Sequence, residues 1–452
     1  MKTSVIYLNL VLFVFLLPFM AFSDSMNNRS EYLELKELIK AALDENLSLK
    51  AVDKRLDSTA LSISVAGILP DPQLSLGLIN LPVGTFAFDQ EPMTGKVVSL
   101  KQKLPFPGKL SLAIDIARQQ FLALQYQQEE FRHQIVFKIK TLYAQLYAVD
   151  RTLEVIEKNK ALLRQLLRSA EIKYATGAGL QQDILQIQVE LLKIEDTLLE
   201  WQEKRNLLTA EINSILNRSP RQPLKKTPVK LPPDERPWPP LNSQTLESSQ
   251  PLLLAYKEKI RQLEKDIALA RKNLWPDLMV GLSYNQRSRL KTGQQLPDFY
   301  SATISLEIPV FGWRKQKSII AQKSYQLEAL QKEYQQLVNE LLAQAEKARL
   351  KKERYRQQIE LYQHGLLLQA KQALFSAQAA YQTGKVDLQT VLNSWLKLQN
   401  YEMNYYQGWA RYFAALAELE YLLGLTSLPS KATSPNKNQN RASTSSPKEE
   451  KK

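Results

Sequence analysis

Two acidic residues, Asp183 and Asp387, lie in two similar segments of this chain. The segments read YATGAGLQQDIL (174–185) and YQTGKVDLQTVL (381–392). A carboxylate shortly after such a glycine can accept hydrogen bonds from the free N–H groups that begin a helix. Carboxylates gathered in a ring can instead attract cations and repel anions. Both interpretations stay open, and the remaining residues that define the two segments are Tyr174, Thr176, Gly177, Gln182, Tyr381, Thr383, Gly384 and Gln389.

Other chemistry-bearing patterns are missing from the sequence. The 452 residues contain no cysteine, which excludes disulfides, thiol catalysis and cysteine-ligated zinc. The two histidines, His133 and His364, lie far apart in helical stretches, and each is predicted to be a solvated helix residue. There is no P-loop, nucleophile elbow or paired metal motif. We therefore expect no enzyme activity, no catalytic residue, no metal site and no cofactor.

The formal net charge of +14 raises the question of nucleic acid binding. The basic residues, however, alternate with acidic ones along helical stretches, a pattern typical of solvated helix faces. Part of the excess lies in a polar tail, residues 426–452, that is predicted to be disordered and dispensable. No nucleic acid partner is predicted.

The first 23 residues have the features of an export signal. Lys2 is basic, Val11–Leu17 is apolar, and small residues follow at the cleavage positions. An anchoring helix is the alternative. No later stretch reaches the roughly 18 uninterrupted apolar residues of a spanning helix, so the mature protein is predicted to be exported without a helical anchor.

The chain contains an internal duplication. LPDPQLSLGL (69–78) resembles WPDLMVGLSY (275–284), and KLPFPGK (103–109) resembles EIPVFGWR (307–314). These pairs and the Tyr-x-Thr-Gly pair occur in the same order, offset by roughly 205 residues, which chance explains poorly. Residues 24–216 and 241–425 are therefore predicted to be two structural repeats. The proline-rich stretch 217–240 is predicted to be a stiff, extended linker between them.

Each repeat contains two predicted strands with one apolar and one polar face. The strands are predicted at about 73–80, 97–104, 278–285 and 301–308, where apolar and polar residues alternate. The polar face is predicted to carry Ser75, Lys101, Lys103, Ser305 and Glu307. A soluble sheet with one wet face is the alternative to a sheet whose apolar face contacts lipid.

Each repeat also contains a long helical hairpin, predicted at about 109–216 and 314–424. Apolar residues in these stretches recur at spacings of four and three, the 3.5-residue period of coiled-coil packing. The stretch 110–174 lacks proline and would be roughly 100 Å long as a helix, at 1.5 Å per residue. Rods of this length must pack side by side, and the two Tyr-x-Thr-Gly segments form their tips.

Four strands cannot close a barrel in a membrane, because open edges leave backbone groups unpaired in lipid. The missing strands must come from other copies of the chain. Two copies would supply eight strands and three copies would supply twelve, and only a wider barrel holds an aqueous channel. The residues alone leave the number of copies open.

From about residue 32 to residue 425 the sequence resembles the TolC-like outer-membrane efflux proteins. The resemblance rests on the duplication, on LPDP and WPDL, on PFPGK and PVFGWR, and on the two Tyr-x-Thr-Gly tips. It implies a mainly helical, internally duplicated chain that forms a homotrimer. A twelve-stranded barrel in the outer membrane, four strands per chain, would continue into a periplasmic helical barrel.

The resemblance also implies a function and partners. The chain would passively conduct substrates across the periplasm and outer membrane for an inner-membrane pump and a periplasmic adaptor. The family often carries an acidic residue several positions past the tip glycine; Asp183 matches it, whereas Thr390 stands there in the second repeat. Asp183 and Asp387 are thus candidates for the periplasmic aperture. The stretches 77–92 and 103–109 most resemble the branch associated with heavy-metal export.

A non-channel function is the alternative. An exported coiled-coil adaptor or scaffold without a pore could contain the same hairpins beside a small soluble sheet. A requirement for detergent would separate the two hypotheses, because only the channel has a lipid-facing band. An envelope hydrolase is a third class, and no catalytic constellation supports it.

Overall fold

The computed structural model describes residues 32–231, 236–308 and 312–426. The predicted signal peptide, 1–23, and the polar tail beyond Thr426 lie outside the described residues. In chain order the elements are α1 (Leu35–Glu45), α2 (Leu47–Ala66), β1 (Gln73–Ile79), β2 (Gly95–Leu104), α3 (Lys109–Ala175), α4 (Gln181–Ile215), α5 (Ser243–Ser249), α6 (Pro251–Lys272), β3 (Asp277–Arg287), β4 (Phe299–Glu307), α7 (Gly312–Leu361), α8 (Leu367–Gln382) and α9 (Leu388–Leu422).

The four strands form one antiparallel sheet in the order β1-β2-β3-β4. They lie where the alternation predicts, with small differences at their ends. The register places four serines directly opposite one another, one on each strand: Ser75, Ser99, Ser283 and Ser301. Side chains alternate along each strand, so this row fixes which residues share a face. The outer edges of β1 and β4 have no partner strand among the described residues.

Two long helical hairpins extend from the sheet. Helix α3 begins five residues after β2 and runs without interruption for 67 residues to the first tip, a length of roughly 100 Å. Helix α4 returns along α3, and α9 also packs against α3. The sheet and the tips therefore lie at opposite ends of the chain.

The second hairpin differs from the first in one respect that the periodicity does not predict. The first arm of the hairpin predicted at about 314–424 contains a π-helical turn, Tyr362–Leu366, between α7 and α8. A π-turn adds a residue to the helix and shifts the face it presents. His364 lies in this turn and is exposed, as predicted.

Three apolar clusters hold the helices together. One joins the middle of α3 to α1 and α9, one joins the tip halves of both hairpins, and one joins α5, α6, α7 and α9. His133 of α3 lies in the middle region and is buried, so the prediction of a solvated histidine is wrong there. Burial lowers the pKa of His133, because the charged imidazolium is poorly solvated.

The proline-rich stretch 217–240 packs on α3 over its described part rather than crossing solvent as a free linker. The Thr227 backbone N–H and hydroxyl both donate to Asp150 Oδ2, at 2.8 and 3.0 Å. Arg151 Nη2 donates to the Thr227 carbonyl at 3.1 Å, and Leu231 is buried. The polar side chains of α3 thus satisfy the irregular backbone of this stretch.

Candidate functional site: the hairpin tips and the polar face of the sheet

Both hairpin tips have the same turn geometry. Gly177 and Gly384 have positive φ angles of 73° and 72°, the left-handed conformation that ends a helix at little cost for glycine. The hydroxyl of Thr176 donates to the carbonyls of Ile172 and Lys173, and that of Thr383 bonds its own helix in the same way. The shared Tyr-x-Thr-Gly residues therefore act first as helix stops.

Asp387 is the N-cap of α9. Its Oδ1 accepts from the Thr390 backbone N–H at 2.9 Å and from the Thr390 hydroxyl at 2.6 Å. These hydrogen bonds stabilise the carboxylate and lower the pKa of Asp387. Asp387 therefore caps its helix, as one of the two predicted interpretations requires, while its side chain remains exposed.

Asp183 has a different role, because it contacts the other hairpin. Its Oδ2 accepts a hydrogen bond of 2.8 Å from the hydroxyl of Tyr381 in α8, although α4 carries Asp183 three residues into its first turn. Tyr381 is buried, and burial together with the Asp183 carboxylate raises its pKa far above the ordinary tyrosine value. This bond joins residues 198 positions apart and ties the two tips together.

Lys173 completes the contact between the tips. Its Nζ donates to the carbonyl oxygen of Tyr381 and lies 4.1 Å from the centre of the Tyr381 ring. A cation over an aromatic face is attracted by the ring quadrupole. Tyr381 is thus held by Asp183 at its hydroxyl and by Lys173 at its ring and backbone.

In the first tip the corresponding tyrosine makes no equivalent contact with the described residues. Tyr174 corresponds to Tyr381, yet its side chain is 50% exposed. The two predicted glutamines, Gln182 and Gln389, are also exposed, and Gln389 Nε2 donates to Asn393 Oδ1 at 3.1 Å. The two tips are therefore alike in backbone and different in what their tyrosines contact.

The strand register places all five predicted polar residues on one face of the sheet. On that face Ser75 lies opposite Ser99, and Met279 lies opposite Ser305. Lys103 Nζ lies 2.8 Å from Glu307 Oε2 and 3.4 Å from Asp277 Oδ2. The polar face is thus rich in hydroxyls in its middle and carries paired charges at the end nearest the helices.

Asp277 links the sheet to the long helix. Its Oδ1 accepts from the Phe106 backbone N–H at 2.9 Å and from Lys109 Nζ at 2.7 Å. Phe106 also stacks on Trp275 at 5.3 Å between ring centres. These contacts join WPDL, which opens β3, to PFPGK, which opens α3, so the two motifs meet at the junction of sheet and helices.

The opposite face of the sheet is apolar and open. Leucines and other apolar side chains cover it, and several are more than half exposed in the single chain, namely Leu74, Leu76, Leu78, Leu282, Tyr300, Ile304 and Leu306. An exposed apolar surface of this extent marks contact with another protein or with lipid. Among the described residues, no helix is both long and apolar enough to span a membrane.

The structure thus brings Asp183 to Tyr381 and Lys103 to Glu307, and leaves Asp387, Gln182 and Gln389 apart from them. Sequence reasoning missed the supporting roles of Lys173, Lys109 and Asp277. Lys109 and Asp277 lie within the PFPGK and WPDL motifs, so these motifs could have indicated the two residues from the sequence. Within the described ranges, no group of three or more histidine or acidic side chains is placed to hold a metal ion.

Comparison with known proteins identifies the class. The chain matches the family described as outer membrane efflux protein over residues 38–218 and 242–425, one segment in each repeat. It belongs to this family. A comparison with curated proteins found no match.

Solved structures have the same fold. The outer-membrane channel OprN superposes with a TM-score of 0.74 at 14% identity, covering 87% of this chain and 90% of that one. VceC from Vibrio cholerae superposes with a TM-score of 0.73 at 17% identity, covering 86% of this chain and 96% of that one. CusC superposes with a TM-score of 0.72 at 19% identity, covering 86% of this chain and 92% of that one.

Family and fold together establish the general function. The chain is an outer-membrane efflux channel, the outer component of a tripartite export system. The predicted fold class, family and outer-membrane location are confirmed. Family membership also decides against the alternative of an exported scaffold without a pore.

Proposed function

We propose that three copies of this chain form one continuous conduit, with a twelve-stranded barrel at one end and the hairpin tips at the other. The apolar sheet face would contact lipid and the polar face would line the lumen. The tips would form the periplasmic aperture, where an adaptor docks and an inner-membrane pump delivers its substrates.

The open sheet is the observation that carries this proposal. Its two outer edges are unpaired among the described residues, and its apolar face is exposed. An unpaired edge in lipid costs several kcal/mol per backbone group, so the sheet must be completed by other strands before it can enter a membrane. Three copies supply twelve strands, enough for an aqueous lumen.

Helix α4 supports assembly from a second part of the chain. Its exposed surface carries an apolar stripe whose members recur mostly three, four or seven residues apart: Leu185, Val189, Leu192, Leu199 and Leu207. Such spacing is typical of a helix that packs against another helix. Among the described helices α4 makes most of its contacts with α3, so this exposed stripe is suited to a helix of the neighbouring copy.

The charged groups support the assignment of the lumen. The polar face contains Lys101, Lys103, Glu307 and Asp277, which would be poorly solvated against lipid acyl chains. In a water-filled lumen the same groups stay hydrated. The resemblance of 77–92 and 103–109 to the metal-export branch remains a prediction about the substrate.

The test is the mass and conductance of the native protein. The protein is extracted from outer membranes in detergent, and its mass is measured by light scattering with the detergent contribution subtracted. We expect three chains per particle and discrete conductance steps in planar bilayers. A monomer that stays in solution without detergent and conducts no current would overturn the proposal.

Partner binding is tested at the tips. Purified adaptor from the same cell is titrated against the reconstituted channel and against a variant whose tip residues 177–180 and 384–387 are replaced by serine. Loss of binding in this variant alone, in particles that still contain three chains, supports the tips as the docking region. Equal binding by both proteins places the adaptor elsewhere.

A further inference from the structure

The two halves of the sheet correspond residue by residue. In the sequence, Pro70-Asp71 before β1 matches Pro276-Asp277 at the start of β3. After β2 and β4, Gly108 matches Gly312, and each glycine stands three residues after a matching proline, Pro105 and Pro309. These matches assign a residue of β3 to each residue of β1, and a residue of β4 to each residue of β2.

The backbone pairing verifies the assignment. In the first repeat Gln73 lies opposite Lys101. Their counterparts are Met279 and Ser305, and these two lie opposite each other in the second repeat. The same register therefore occurs twice, so the correspondence holds in three dimensions as well as in the sequence.

The pairing of β2 with β3 joins the first repeat to the second. Here Lys101 lies opposite Gly281. The counterparts of this pair are Ser305 on β4 and Ser75 on β1, the two strands with open edges. If the second repeat of one copy joins the first repeat of the next in the same way, the register between protomers is fixed.

We propose that β4 of each protomer pairs antiparallel with β1 of the next, with Ser305 opposite Ser75 of the partner subunit. Leu306 then lies opposite Leu74 of the partner subunit, and Ile304 opposite Leu76 of the partner subunit. This inference rests on the proposed trimer and adds the residue contacts that close it.

The faces of the two strands agree with this register. It sets serine against serine on the polar face and leucine or isoleucine against leucine on the apolar face. A slip by one residue would move every leucine of one strand to the polar face and its polar residues to the apolar face. Such a register is unfavourable wherever the apolar face is buried. A slip by two residues keeps the faces, so the charges and the match to the β2–β3 register must decide between these registers.

The charges favour the proposed register over a two-residue slip toward Gly77 of the partner subunit. Within one chain Lys103 reaches across β3 to Glu307, with 2.8 Å between Nζ and Oε2. Lys103 and Glu307 are counterparts in the two repeats, so the proposed seam brings Glu307 toward Lys103 of the partner subunit across β1. Lysine and glutamate would then alternate around the barrel. A slip that sets Ser305 opposite Gly77 of the partner subunit moves one strand by about 7 Å and separates these side chains. The opposite slip departs from the register that β2 and β3 adopt.

The test uses the absence of cysteine in the natural sequence. One variant carries Ser305→Cys and Ser75→Cys. The matched control carries Ser305→Cys and Gly77→Cys, the neighbour two residues along the same face, where an added side chain meets open space. Opposite residues have Cα atoms about 4.5–5.5 Å apart, within disulfide range, whereas a residue two further along is beyond 7 Å.

Both variants are oxidised as intact particles in detergent and separated under denaturing, non-reducing conditions. We expect the Ser75 pair to give covalent species of two and three chains, because each protomer then carries one cysteine at each edge. The Gly77 pair should remain single chains. Faster linkage of the Gly77 pair, or no linkage of either pair in particles of three chains, overturns the register. A particle mass other than three chains overturns the proposed trimer instead.

Discussion

The hydrogen bond between Tyr381 and Asp183 predicts how firmly the tips are held together. Replacing Tyr381 with phenylalanine removes only the hydroxyl that donates to Asp183 Oδ2 at 2.8 Å. The ring keeps its buried position and the Lys173 ammonium keeps an aromatic face 4.1 Å away. The substitution thus isolates one charge-assisted hydrogen bond at the junction of the two hairpins.

The expected magnitude follows from the type of bond. A hydrogen bond to a charged group contributes about 1.5–3 kcal/mol to stability. A change of about 1.4 kcal/mol alters an equilibrium constant tenfold, so Tyr381→Phe should raise the ratio of separated to associated tips by about 10- to 150-fold per chain. The larger value applies if Asp183 stays partly buried without a replacement donor.

The assay is single-channel recording, which reports the fraction of time spent in the higher-conductance state. Tyr174→Phe is the matched control, because Tyr174 is the counterpart of Tyr381 and is half exposed. We expect the higher-conductance state to increase for Tyr381→Phe and to change little for Tyr174→Phe. A double-mutant cycle with Asp183→Asn should show coupling, since Tyr381→Phe removes this bond and Asp183→Asn removes the charge of its acceptor.

Two results would refute this reasoning. Equal effects of the Tyr381 and Tyr174 variants would show that ring chemistry in general, and not the bond to Asp183, controls the tips. Strict additivity of Tyr381→Phe and Asp183→Asn would show that the two side chains act independently. A thermal melt of each variant excludes general unfolding as the cause of any change in conductance.

Three further predictions follow from the sheet, the second tip and the helical core. Leu76→Arg, at the centre of β1, should impair assembly by roughly 2–4 kcal/mol, whereas Ser75→Arg should assemble and change conductance. Equal damage from both variants in a heat-modifiability gel would contradict the assigned faces. Asp387→Asn should reduce the cation preference in reversal-potential measurements. It should leave the melting temperature unchanged, because asparagine also caps helices. Unchanged selectivity with a lower melting temperature would leave the helix cap as the only role of Asp387. Burial raises the pKa of Glu130, despite hydrogen bonds from Tyr421 and Gln134 that favour its charged form. The folded state therefore holds this proton more tightly than the unfolded state, and stability falls as pH rises from the ordinary glutamate pKa through the raised one. Glu130→Gln should flatten that part of a melting-temperature profile against pH, and an identical slope in the variant would exclude Glu130 as its source.

Local patterns in the sequence determined much of the architecture. Alternation with a period of two assigned Ser75, Lys101 and Ser305 to one face, because successive side chains of a strand must point to opposite sides. Tyr-x-Thr-Gly predicted the helix stops at Gly177 and Gly384, because few other residues adopt the left-handed conformation there. The duplication predicted two equivalent hairpins. Each of these inferences depends on interactions within a few residues of the chain.

Only the tertiary structure decided which distant groups meet. Asp183 and Asp387 look alike in sequence, yet Asp387 caps its own helix while Asp183 binds Tyr381 of the other hairpin. His133 has the sequence surroundings of a solvated helix residue, yet packing in the middle of α3 buries it. The lateral order of helices and strands sets these contacts, and that order comes from packing over the whole chain, which no local spacing encodes.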